Sequence, residues 1–142
     1  MSRTGASEWI GVGFVVALCL GLHITGCNVK ERVHSTGTVR YVQIFDGVKP
    51  STLYARVGDE IRWVNLQSSP VRVGILNGGW HGHVACEKGF TRFGTMEDLV
   101  EIAPQEYVSL CFGKPGTVQY NVWLDAQNFK GSMTPTATIR VD

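Results

Sequence analysis

From Thr38 to the end of the chain, short alternating runs rich in β-branched and aromatic residues follow one another, each cut off by glycine, proline or aspartate. A chain punctuated in this way cannot build long helices. It must bury one face of each run against another, which restricts it to an all-β sandwich or barrel. Thr38–Phe45 alternates and is broken by Asp46-Gly47 and Pro50. Leu53, Ala55 and Val57 alternate with Tyr54 and Arg56, and Gly58-Asp59 marks a tight turn. Glu60–Leu66 puts Ile61, Trp63 and Asn65 on one face, and Val71, Val73 and Ile75 form the inner face of the next run. Further strands are expected at Leu99–Ala103, Glu106–Phe112, Thr117–Leu124 and Thr136–Val141. The total is seven or eight strands. Trp63 is assigned to the core.

One stretch departs from the pattern. Residues 77–98 hold five glycines together with Trp80, His81, His83, Cys86, Phe90 and Phe93, with no clean period. The expectation is a long ordered loop with one helical turn near Met96-Glu97-Asp98. Loops of that length usually carry function or are tied down.

The first part of the chain is not domain material. After Arg3 and Glu8, an apolar run extends from Ile10 to Leu22. It is short for a membrane span, which needs about 20 apolar residues, and has the length of a signal-peptide core. It ends in Ile24-Thr25-Gly26-Cys27, which resembles the bacterial lipobox: an aliphatic residue, two small ones, then cysteine. The resemblance implies cleavage before Cys27 and lipidation of its thiol, hence an exported protein anchored to a membrane and facing the periplasm. Asn28, where an aspartate would imply inner-membrane retention, implies the outer membrane. The expected organisation is a cleaved signal peptide over 1–26, a lipidated N-terminus and polar linker over 27–37, and one domain over 38–142. Cleavage removes one basic and one acidic residue, so the net charge of +1 is unchanged. Such a balance excludes a nucleic-acid partner.

Gly58-Asp-Glu-Ile-Arg-Trp-Val-Asn65 resembles the G-D-x-[VI]-x-W-x-N strand of small cupredoxins. Pro50 ahead of Leu53 is similar to their early proline. The hairpin through Phe112 and Gly116–Tyr120, and Phe129-Lys-Gly131 before the final Thr-Ile-Arg-Val strand, resemble the end of the family's domain. The resemblance implies a Greek-key β-sandwich over about 38–142. It also implies a copper site of two histidines, a cysteine and a weak axial methionine. At the matching positions this chain has Val71, Val122, Asp125 and Phe129, with Met133 close to the last but displaced. A lone carboxylate is a poor partner for a soft copper site, so no cofactor is expected there. Valine and phenylalanine at these places are expected to extend the apolar core.

Two other thiols remain, Cys86 and Cys111. An even pair in an exported domain reads as a disulfide closing a 25-residue loop. The competing reading makes His81, His83 and Cys86 a copper or zinc cluster, with both rings of a strand-like His81-Gly82-His83 pointing the same way. Trp80 is either a lid packed on the sandwich or an anchor for a partner, and Trp123 faces out or packs on the Trp80 loop. No catalytic constellation is visible, so the chain is not read as an enzyme. The expected function is a lipid-tethered, non-catalytic binding or structural module that contacts another envelope protein. The alternative is a metal-binding or electron-transfer protein using the His81/His83/Cys86 site.

Overall fold

A computed structural model of the chain describes residues 35–142. Twelve strands are present: β1 (Val39–Ile44), β2 (Val48–Lys49), β3 (Thr52–Ala55), β4 (Glu60–Asn65), β5 (Val71–Ile75), β6 (Val84–Lys88), β7 (Thr91–Arg92), β8 (Thr95–Met96), β9 (Leu99–Ile102), β10 (Tyr107–Phe112), β11 (Gly116–Trp123) and β12 (Ala137–Val141). One five-stranded sheet has the order β2-β1-β4-β10-β6, the other β3-β12-β11-β5-β9, and β7 pairs with β8 in a separate hairpin. The pairings β1–β4 and β12–β3 are parallel, and the rest are antiparallel. The architecture is the all-β sandwich that the period-two pattern requires.

The inward faces are those read from the alternation. Ile61, Trp63 and Asn65 are wholly buried on β4, as are Val71 and Val73 on β5 and Leu110 on β10. Trp63 lies at the centre, edge-on to Phe90 at 5.6 Å and to Tyr120 at 5.5 Å. Such aromatic pairs contribute about 0.5–1.5 kcal/mol beyond their buried area.

Two polar side chains of the Gly58–Asn65 run hold loops at its ends. Asn65 donates from Nδ2 to the carbonyls of Ser69 (2.8 Å) and Ile102 (3.0 Å) and accepts from the Gln67 N–H (2.9 Å). It thereby ties the loop before β5 to the end of β9. Asp59 accepts from Thr36 Oγ1 (2.5 Å), Arg40 Nε (3.1 Å) and the Arg56 N–H (3.1 Å). Burial alone would raise the Asp59 pKa, but these donors outweigh it and hold the carboxyl below its usual range. The Thr36 N–H also donates to the Gly58 carbonyl at 3.1 Å, so the chain is held to the sandwich just ahead of β1.

The strand count and the 77–98 stretch differ from expectation. The helical turn is a 3-10 helix at Trp80–His83, and Met96 belongs to β8. Instead of one loop, the segment contributes β6 and the β7–β8 hairpin. Two-residue strands contain too few positions to show a period, and β6 is exposed at four of its five positions, which erases the alternation.

Candidate functional site

Cys27 and the whole of 1–34 lie outside the described residues. Within them, the four positions that the family resemblance assigns to copper are no donor set. Val71 and Val122 are fully buried in β5 and β11 and belong to the core, as expected. Asp125 sits exposed in the turn after β11, where its Oδ1 accepts from the Gln127 N–H at 2.9 Å. Phe129 does not fill the core, contrary to expectation. It is 44% exposed, lies 5.7 Å from the Trp123 ring, and carries the Arg72 guanidinium 4.6 Å above it. The loop between β11 and β12 turns its ring outward onto Trp123, whose indole N–H donates to the Phe129 carbonyl at 3.2 Å. Met133 is exposed as well. Two aliphatic side chains, a turn carboxylate and a surface phenyl ring supply no thiolate or imidazole, so these residues do not fit a soft copper centre.

The His81, His83 and Cys86 set is also dispersed. The 3-10 helix advances about 120° per residue, so side chains two positions apart diverge rather than point the same way. His81 Nε2 is 3.0 Å from Asp98 Oδ1, and its ring packs 4.3 Å from that of Trp80. The His83 carbonyl accepts from the Gly113 N–H, and its ring borders Gly116. Cys86 is bonded to Cys111. The two cysteines are directly opposite each other in the β6–β10 register, which sets them close enough to bridge. A bridged sulfur is not a thiolate ligand. Among the described residues, no three His, Cys, Asp or Glu side chains converge on one point.

Trp80 packs inward on the sandwich. It is 3% exposed, donates from Nε1 to Asp98 Oδ1 (2.6 Å), and packs 5.7 Å from Phe90. Trp123 does not reach the Trp80 loop; it covers Gly74, where a side chain would collide with its ring. Two shallow clefts lie at the sandwich surface. One, of about 190 Å³, is bordered by His83, Lys114 and Thr117, and the other, of about 340 Å³, by Asp46, Val48, Leu124 and Met133. What the sequence did not single out is Phe93. It is 94% exposed and has a positive φ of 51°. The signal was the Phe93-Gly94 pair between residues able to form a two-residue hairpin.

The fold is an all-β sandwich, with the motif residues Trp63 and Asn65 inside β4. No protein-family model matches the chain, and no curated protein does. Similar solved structures include the reduced Cu(I) form of a proline-to-glycine variant of amicyanin at pH 4. That match has a TM-score of 0.48 and 16% identity over 76% of this chain and 85% of that one. A reduced tryptophan-to-tyrosine amicyanin variant gives a TM-score of 0.49 at 16% identity, covering 78% and 91%. An oxidized methionine-to-leucine variant gives 0.49 at 18%, covering 80% and 95%.

Proposed function

We propose that this chain is an exported protein held at a membrane by lipid on Cys27, and that its sandwich is a non-catalytic module binding another protein of the cell envelope. The observation that carries this reading is the Cys86–Cys111 disulfide. Such bridges persist in oxidising compartments outside the cytosol. It agrees with the apolar run and the Ile24-Thr25-Gly26-Cys27 box, which are independent of it. The non-catalytic part is supported by the donor set: side chains of the wrong chemistry occupy the copper positions of the resemblance, and the remaining cysteines are bonded to each other.

Two measurements test the two halves. Growth with radiolabelled palmitate should label the chain, and Cys27→Ser should abolish both label and cleavage after Gly26. An unlabelled wild-type chain refutes the anchor. Anaerobic titration of the mature protein with copper and zinc, with thiol counting, should find no free thiol and no tight equivalent. One tightly bound metal that disappears in His81→Ala/His83→Ala would instead establish a metal-handling protein.

A further inference from the structure

The Cys86–Cys111 bridge joins two sulfurs in unlike surroundings. Cys86 is the middle residue of β6 and is exposed, whereas Cys111, directly opposite it on β10, is 5% exposed. A thiol from outside the fold therefore reaches the first sulfur far more readily than the second. The strand that carries the exposed sulfur buries little of its own. Val84 is partly buried and the other four residues of β6 are exposed. The β6–β10 register also shifts at the bridge, where Cys111 faces Cys86 but Phe112 faces Val84. The segments on either side are held by their own side chains. Trp80 packs inward with its indole N–H on Asp98, and Phe90 is wholly buried against Trp63 and Trp80.

We propose that the bridge is a reducible latch on β6, opened at Cys86 by a dithiol reductant. A thiolate of the reductant attacks Cys86 Sγ. The bond to Cys111 Sγ breaks, its electron pair leaves on Cys111, and that sulfur takes up a proton, while Cys86 forms a mixed disulfide with the reductant. The reductant's second thiolate then attacks the reductant's own sulfur in that mixed disulfide. This expels Cys86, which is protonated in turn. Two electrons and two protons reach the cysteine pair, and the dithiol departs as a disulfide. β6 is then free to leave β10 between its two anchors, Trp80 and Phe90, while the sandwich stays closed. The latch is independent of the lipid anchor proposed above.

The charges around the bridge suit this polarity. Paired residues present their side chains on the same face of a sheet. The register thus places Glu60 beside Cys111, and Arg62, Ser109 and Lys88 in the next row. Glu60 alone opposes a departing thiolate, but Arg62 holds both its oxygens, at 2.8 and 2.9 Å. Lys88, two residues from Cys86, lies with its Nζ 3.5 Å from the centre of the Tyr107 ring and has no carboxylate partner among the described residues. Glu87 alternates to the other face of β6, where it accepts from the Phe90 N–H. On the bridge's own face one carboxylate therefore stands against two cations, a balance that favours both the approaching thiolate and the departing one.

The test uses the mature, oxidised protein under native conditions. Its reduction is followed at rising concentrations of dithiothreitol, with quenched samples alkylated and read by mass spectrometry. Attack on the folded chain makes the rate proportional to the dithiol, with no ceiling. A brief exposure to reduced glutathione, quenched with N-ethylmaleimide, should leave glutathione on Cys86 in excess of Cys111 by roughly tenfold or more. After full reduction, amide exchange in β6 should quicken by roughly tenfold or more while β4 and β11 stay protected. Three results each overturn the latch: a reduction rate that levels off at the rate of unfolding, glutathione shared equally between the two cysteines, or a reduced chain that loses protection throughout.

Discussion

Removing the Cys86–Cys111 bridge is the perturbation whose size is best determined by the structure. The bridge closes a 25-residue loop, and the chain-entropy relation then gives a stabilisation of about 3.5 kcal/mol at 25 °C. Few other contacts secure β6. Among the described residues it is an edge strand paired with β10 alone, and four of its five residues are exposed. Cys86→Ala/Cys111→Ala should therefore lose most of that amount, since Cys111 is buried and alanine leaves little space unfilled there. For a domain of roughly 100 residues the loss corresponds to a Tm lower by about 15 °C. Urea unfolding followed by circular dichroism measures it on the oxidised wild type and the variant side by side. Amide exchange should quicken first in β6 and the β7–β8 hairpin, ahead of β4 and β10. A loss under about 1 kcal/mol, with unchanged exchange in β6, would refute the argument. It would mean that Trp80 and Phe90 hold the segment without the staple.

Asp59→Asn should cost on the order of 2 kcal/mol at neutral pH, because it weakens bonds that are made to a charge. The folded carboxyl titrates below its unfolded value, so its stabilisation is complete above about pH 4 and is lost as the pH falls through the lowered folded pKa. Acid unfolding of the variant should accordingly be shallower than that of the wild type, with Glu60, lowered by its bond to Arg62, supplying part of the remaining slope. Phe93→Asn should raise stability by about 0.5 kcal/mol, as asparagine accepts the left-handed turn more readily; a destabilised variant would show that the phenyl ring packs on the hairpin. Trp80→Ala should cost about 3–5 kcal/mol in denaturant melts. A cost near zero would return Trp80 to the role of a surface anchor.

Much of the fold was legible because one physical rule, burial of alternate residues, governs most of it. Ile61, Trp63 and Asn65, or Val108, Leu110 and Phe112, announce their inward face through spacing alone. The disulfide was legible by an even cysteine count and the expectation of export, and its register came only with the structure. The rule stops at residues 77–98. There the strands are very short, the exposed positions outnumber the buried ones, and Phe90 and Trp80 enter the core from irregular backbone. Phe129 was misplaced for a related reason. Its orientation is set by a turn and by Trp123, not by any period. Phe93 was named only as one of the aromatics of that stretch, because its exposure and left-handed φ are properties of the folded backbone, which composition does not carry.

The junction at Thr36 determines how the molecule bears load. A pull on the preceding chain is transmitted to β1, which lies between β2 and β4 rather than at an edge. Six residues of β1 are in register with β4 along the whole strand, and Thr36 is fastened to Gly58 and Asp59 ahead of them. Force along the strand axis shears these hydrogen bonds together, where an edge hairpin would peel one pair at a time. The chain thus enters the sandwich through a strand placed to resist extraction, and tension on it should rupture the sandwich in one event rather than unravel it from the end.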